Sequence, residues 1–202
     1  IAVSPYLWVN MVLLSEVLLQ ALDIYERLSL IDLHGFRFEV LEEIARRRNA
    51  LDKLPRLRLN VWDVPLMVFE IDEDPSLLEK SVKPIFATAS KWLRKFKEYG
   101  YRIVLVKRIG SSHIFLMRYD DIEFIVKITI HGINEFTIPY KLRKALSIVK
   151  ESIDTYGPFK VRDAITIVSK ELEVPKEEAK RIVMELIRMG LIKIVKGGYV
   201  EY

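Results

Sequence analysis

Acidic residues gather at two places where they could do chemistry. Glu70, Asp72 and Glu73 follow a dense apolar run, and Asp120, Asp121 and Glu123 stand just before Lys127. Strand carboxylates beside a lysine can hold a divalent metal and assist hydrolysis of a phosphodiester. The usual spacing of a carboxylate, one residue and a lysine is missing, because Glu123 and Lys127 are four residues apart. Turn-forming acids and one pair on a shared strand face explain the same residues. His34, His113 and His131 lie far apart and lack the i, i+4 spacing of a helical metal site. Gly110 and Gly132 stand alone, so they form no glycine-rich phosphate cradle. Contiguity of Ser111, Ser112 and His113 says nothing of a catalytic triad, which is a spatial arrangement. There is no cysteine, which removes disulfides, thiolate zinc sites and cysteine nucleophiles together. The expectation is a protein that is not an enzyme and that uses no metal and no cofactor. A metal-dependent nuclease is the catalytic alternative.

The cations are more informative. Of the net charge of +4, the whole excess lies from Pro139 onward, with 13 Lys+Arg against 9 Asp+Glu. A basic surplus confined to one segment agrees with phosphate contact. A second basic stretch runs from Lys91 to Arg108. There Lys91, Arg94, Lys95, Lys97, Arg102, Lys107 and Arg108 face Glu98 alone, and Trp92, Phe96, Tyr99 and Tyr101 interleave with them. Interleaved aromatics and cations can stack on bases and hold phosphates. A core-facing aromatic stripe with a wet basic back is the plainer reading and the one we favour.

The last sixty residues predict three helices and a two-stranded ribbon. The first helix, about Tyr140 to Tyr156, puts Leu142, Ala145, Leu146, Val149 and Ile153 on one face, and Gly157-Pro158 ends it. The second, about Val161 to Leu172, buries Ala164, Ile165 and Val168. Val174-Pro175 opens the third, where Ala179, Ile182, Val183 and Leu186 recur at i, i+3, i+4 and i+7. Gly190 stops it. Leu191 to Val195 and Tyr199 to Tyr202 are the ribbon strands, with Gly197-Gly198 supplying the positive φ that a tight hairpin needs. This order resembles the winged helix-turn-helix superfamily. The resemblance implies double-stranded DNA as the partner, with the third helix in the major groove. Its outward positions are Lys176, Glu177, Lys180, Arg181, Met184 and Arg188. The nucleic-acid-binding residues so implied are Lys176, Lys180, Arg181 and Arg188 on that helix and Lys193 and Lys196 on the wing. Glu177 and Glu178 oppose this by repelling the DNA backbone, although acids also favour a helix N-terminus on their own account. The alternative is an adaptor whose winged helix binds a protein.

The front of the chain predicts an α+β domain. Residues 12–31 read as one helix, with Ser15, Glu16, Gln20, Asp23 and Arg27 drawing a narrow wet stripe. Such a helix is either a core helix or a homodimer or partner interface. A helix over about Phe38 to Asn49 follows, then a short exposed strand at Leu57 and Leu59, then a buried strand from Leu66 to Ile71. Asp74-Pro75 predicts a helix start, Pro84 a kink or split, and Gly100 the stop. Tyr101 to Ile109, His113 to Tyr119 and Ile122 to Ile130 predict a three-strand antiparallel meander, with turns at Gly110-Ser111-Ser112 and Asp120-Asp121. The element order resembles roadblock or longin-type domains in topology alone, without a family motif. Residues 1–132 are thus expected to form an N-terminal domain for dimerisation or partner docking, and residues 139–202 the winged helix, with His131 to Ile138, which has no periodicity, read as the linker. No apolar run free of charge approaches the length of a bilayer span, and no leader pattern is evident. The expectation is a cytoplasmic protein with no membrane contact. Scarce Gln and Asn with abundant Lys, Arg, Glu and Ile suggest a thermophile.

Overall fold

Apolar residues on both sides of a strand demand cover on both sides, and several short runs in the front half have that character. The computed structural model describes residues 1–63, 65–80, 83–109 and 113–202. The chain divides into two compact units, Ile1–Lys107 with Phe115–Glu135, and Arg108–Ile114 with Phe136–Tyr202. Both contain helices and strands.

The first unit is built on β1 (Ala2–Val3), β2 (Leu28–Asp32), β3 (Leu57–Leu59), β4 (Leu66–Phe69), β5 (Phe86–Ala89), β6 (Val104–Arg108), β7 (Ile114–Tyr119), β8 (Ile122–Thr129) and β9 (Gly132–Glu135). They form one sheet in the order β3-β2-β4-β5-β1-β6-β7-β8-β9. From β3 to β6 every neighbour pair is parallel, for example Ile31 beside Val68 and Ala2 beside both Thr88 and Val104. At the far edge β8 and β9 pair antiparallel, with Ile128 opposite Ile133.

Side chains alternate across this sheet into two separate cores. On one face α1 (Leu7–Ile24) and α2 (Phe38–Arg47) pack Leu14, Leu18, Leu22, Leu41 and Ile44 against Leu30, Met67, Phe69 and Phe115. On the other, a 3-10 turn at Pro75–Glu79 and the short α3 (Arg94–Glu98) bring Leu77, Leu78 and Phe96 onto Val3, Ile31, Leu66 and Val68. Burial of each such side chain is worth about 1.5–3 kcal/mol relative to exposure. By length and composition α1 could cross a membrane. Twelve of its residues are buried within the unit, which makes it a core helix.

Three expectations need correction. The predicted helix over residues 12–31 starts earlier and ends at Ile24, and Leu28–Asp32 is instead a buried strand between β3 and β4. The helical pattern expected from Asp74 to Gly100 is interrupted by β5, whose Phe86-Ala87-Thr88-Ala89 is too short and small to show a period. What surrounds β5 is a 3-10 turn, with the Asp74 side chain accepting from the Ser76 amide at 3.2 Å, and only one turn and a half of α-helix. The expected linker, His131 to Ile138, contains a strand, β9, which pairs antiparallel with β8. The turn expected at Gly110-Ser111-Ser112 lies outside the described residues.

A buried carboxylate ties α1 to that last strand. Glu16 accepts from the Ile133 amide at 3.0 Å through one oxygen and meets the Arg48 guanidinium at 2.6 Å through the other. Gly132 lies against it with φ +124, and a Cβ there would stand 2.4 Å from the Glu16 carboxylate oxygen. Gly132→Ala is therefore expected to destabilise the protein by about 1–3 kcal/mol through backbone strain and the clash. In urea unfolding, Glu16→Ala combined with Gly132→Ala should cost less than the two single changes added together.

Candidate functional site

Two places in the molecule concentrate polar groups, one in each unit. In a doubly wound sheet, ligands settle beyond the carboxyl ends of the strands where outgoing connections part to opposite faces. Here β1 leads through α1 to β2 on one side, while the neighbouring β5 leads through α3 to β6 on the other. The point of divergence is the β1–β5 pair. Asn10, in the first turns of α1, donates from its amide nitrogen toward the Ser4 carbonyl at 3.0 Å, the Ala89 carbonyl at 3.1 Å and Glu70 at 2.8 Å. The first two groups lie at the ends of β1 and β5, and Glu70 directly follows β4. Glu70 also accepts from Thr88 at 3.1 Å and from Ser90. Asp72 caps the same strand end by accepting from the amides of Ser90 and Lys91 at 2.9 and 3.1 Å.

Glu70 carries two marks of a specialised residue. It is non-glycine at φ 58, ψ 58, a strained left-handed conformation. Burial pushes its carboxyl above the usual glutamate range, with the nearby Asp72 charge adding to this and the Ser90, Thr88 and Asn10 hydrogen bonds opposing it. A carboxyl that keeps its proton could in principle act as a general acid. The crevice, however, is filled by its own side chains, since Ser4, Asn10, Glu70 and Thr88 are all buried. The turn after β1 reads Ser4-Pro5-Tyr6, with none of the glycines that let a phosphate approach in this architecture. Among the described residues the Asn10 amide oxygen is buried without a partner. The arrangement works as a clasp on three strands.

The second unit holds α4 (Tyr140–Tyr156), α5 (Val161–Glu171), α6 (Lys176–Arg188) and a ribbon of β10 (Lys193–Val195) with β11 (Tyr199–Glu201). Their core is Ala145, Val149, Ala164, Val168, Ala179, Ile182, Val183, Leu186, Ile192 and Val200, in agreement with the helical periods. Gly197 and Gly198 adopt φ +90 and +78 in the hairpin. A third stretch joins the ribbon: Lys160 bridges Tyr199, and the Val200 amide donates to the Phe159 carbonyl at 2.8 Å. In the link from α5 to α6, Glu173 takes φ 54, and Ser169 donates to the Val174 carbonyl at 2.7 Å.

All six expected cations are exposed: Lys176, Lys180, Arg181 and Arg188 on α6, and Lys193 and Lys196 on the ribbon. Arg188 is tied to Glu185 at 2.6 Å, and that hydrogen bond raises its pKa. Lys193 lies across the ladder from Glu201. Lys176, Lys180, Arg181 and Lys196 make no ion pair among the described residues. Of the two acids that oppose an anionic partner, Glu178 is engaged by Lys141 on α4 at 2.8 Å; Glu177 remains exposed. Lys160, beside the ribbon, is an exposed cation that sequence reasoning missed, because only the bridge to Tyr199 brings it there.

The acidic residues of the nuclease alternative do not converge. Glu70 and Asp72 close β5, whereas Glu123 is bound by Arg118 at 2.8 Å at the β7–β8 end. Among the described residues there is no group of three or more His, Asp or Glu placed to hold a metal. In comparisons with known proteins, no family model and no curated protein matches this chain.

Because the folded-state pKa of Glu70 is raised, its contribution to stability is full below the unfolded-state pKa. It falls as pH rises through the folded value. Glu70→Gln should match the parent protein near about pH 4, around the ordinary glutamate pKa, and become relatively more stable toward neutral pH. Urea midpoints for both proteins across that range measure the effect. A constant gap would mean that Glu70 does not titrate between those limits.

Proposed function

We propose that the second unit is a winged helix that binds double-stranded DNA, with the first unit as its carrier. Three helices in this order, a glycine-closed ribbon and the third stretch at Phe159 to Val161 support the winged-helix reading. In that reading α6 enters the major groove and the ribbon lies along the phosphates. The observation that carries the DNA assignment is the pair Lys180 and Arg181. They stand together on the N-terminal half of α6, exposed and without an ion pair among the described residues, while the adjacent Glu178 is drawn away to Lys141. Lys176 and Lys196 extend the same positive character, and Lys193 and Lys160 are secondary contacts. Arg188 contributes less, because Glu185 already holds it. The role that follows is accessory to transcription or replication.

Binding that rests on phosphates releases counterions, so it must weaken steeply with salt. A duplex titration at two salt concentrations should show retardation at low salt. Replacing both Lys180 and Arg181 by alanine should reduce the log–log salt slope by about 2, one for each lost phosphate contact. Circular dichroism should be unchanged, since both side chains are exposed. Absence of retardation at low salt would overturn the DNA reading. Association with a protein that persists at high salt would favour the adaptor instead.

A further inference from the structure

The first unit has a cleft of about 540 Å³ that duplex binding leaves unused. Its lining comes from two sources. Trp92, Lys97, Tyr101 and Arg102 belong to the segment around α3, and Leu105 and Arg118 to β6 and β7. The cleft exists because α3 covers only part of this face of the sheet. Phe96 is fully buried and closes the core beneath α3. Beyond it Leu105 is left 42% exposed and Trp92 48% exposed. The aromatic stripe of this segment therefore separates into different jobs. Phe96 is core, Tyr99 donates its hydroxyl to Glu79 at 3.0 Å, and Trp92 and Tyr101 turn to the cleft.

Charge is one-sided there. Lys97 and Arg102 are exposed and make no ion pair among the described residues. Arg118 is shared with Glu123, and Asp120 is the one acid in the lining. The Tyr101 hydroxyl is buried without a hydrogen-bond partner among the described residues. A half-exposed indole beside unpaired cations suits a ligand that is both flat and anionic. Stacking needs an open base face, which a duplex hides and a single strand offers.

We propose that this cleft binds single-stranded DNA, with a base stacked on Trp92 and the flanking phosphates held by Lys97 and Arg102. The choice of DNA over RNA rests on the duplex reading of the second unit. The cleft's own chemistry asks only for an unpaired base and its phosphates.

The test uses the full chain and tryptophan fluorescence with a thymidine 15-mer, about the upper site size of such surfaces. Trp8 packs edge-on against Phe115 with ring centroids 5.7 Å apart, whereas Trp62 is 43% exposed under Lys80, so the Trp92 variant assigns the quenching. Trp92→Ala should remove the quenching and weaken binding about tenfold, measured by anisotropy of a labelled strand. Lys97→Ala with Arg102→Ala should lower the salt slope by about 1.4, at roughly 0.7 for each single-strand contact. Duplex binding should be unchanged in these variants, and the thymidine strand should bind the Lys180, Arg181 double variant normally. Those two controls separate failure of this cleft from failure of the second unit. No quenching at low salt, or equal binding by Trp92→Ala, overturns the cleft. Quenching by a uridine 15-mer alone overturns the commitment to DNA.

Discussion

One side-chain amide holds the front unit together. The ends of β1, β5 and β4 meet at one junction, where the Ala89 carbonyl already accepts from the Ser4 amide at 3.0 Å and the Glu70 side chain is buried. Asn10 meets the carbonyls of Ser4 and Ala89 and reaches Glu70 as well. Buried polar groups left unmet cost about 1–3 kcal/mol each, so an apolar residue at position 10 would leave several costs at once. The clasp also explains why an apolar helix such as α1 tolerates an asparagine at a fully buried position. It fixes the direction in which α1 leaves the sheet, and hence the register of the Leu14, Leu18 and Leu22 ridge on the strands below. The same atoms fill the crevice where this architecture ordinarily admits a ligand. Closure of that crevice moves attention to the molecule's outer surfaces.

Those surfaces differ in kind. On α6 the cations are arranged on a convex helix, where Glu178 is paired with Lys141 and Glu177 stays exposed. Around α3 they stand beside exposed aromatic and aliphatic side chains over an incompletely covered sheet. A convex charged helix fits a groove in a rigid polyanion. A concave apolar floor with a charged rim fits a flexible one. The net charge of +4 conceals this division, because acids in both units are already committed to pairs such as Glu43 with Arg47 and Glu185 with Arg188.

The back unit was legible because each of its helices carries its own amphipathic period and explicit stops. Gly157, Pro175, Gly190 and Gly197-Gly198 punctuate it, and Ala179 to Leu186 draw the core stripe directly. The front unit was less so. Leu28-Ser29-Leu30-Ile31 is buried on both faces and has no alternation, so it read as a continuation of the preceding helix. Thr88 and the small alanines of β5 have neither period nor bulk. Asn10 was missed because the helix was expected to begin at Val12, which left it outside any face. Glu70 was noticed as an acid, but its buried position follows only from parallel pairing of β4 between β2 and β5. Pairing partners that far apart in sequence leave no local trace.

The place of β1 has a consequence for the chain as it is synthesised. Ala2 and Val3 find their neighbours only in Thr88 and Ala89 and in Val104 and Leu105. The most apolar helix follows β1 immediately, and much of its floor comes from residues translated later. Ribosomes add about 5–20 residues per second, so this helix waits several seconds or more without its cover. Nascent-chain chaperones would meet it first, and the speed of translation across the first hundred residues would set how long the exposure lasts.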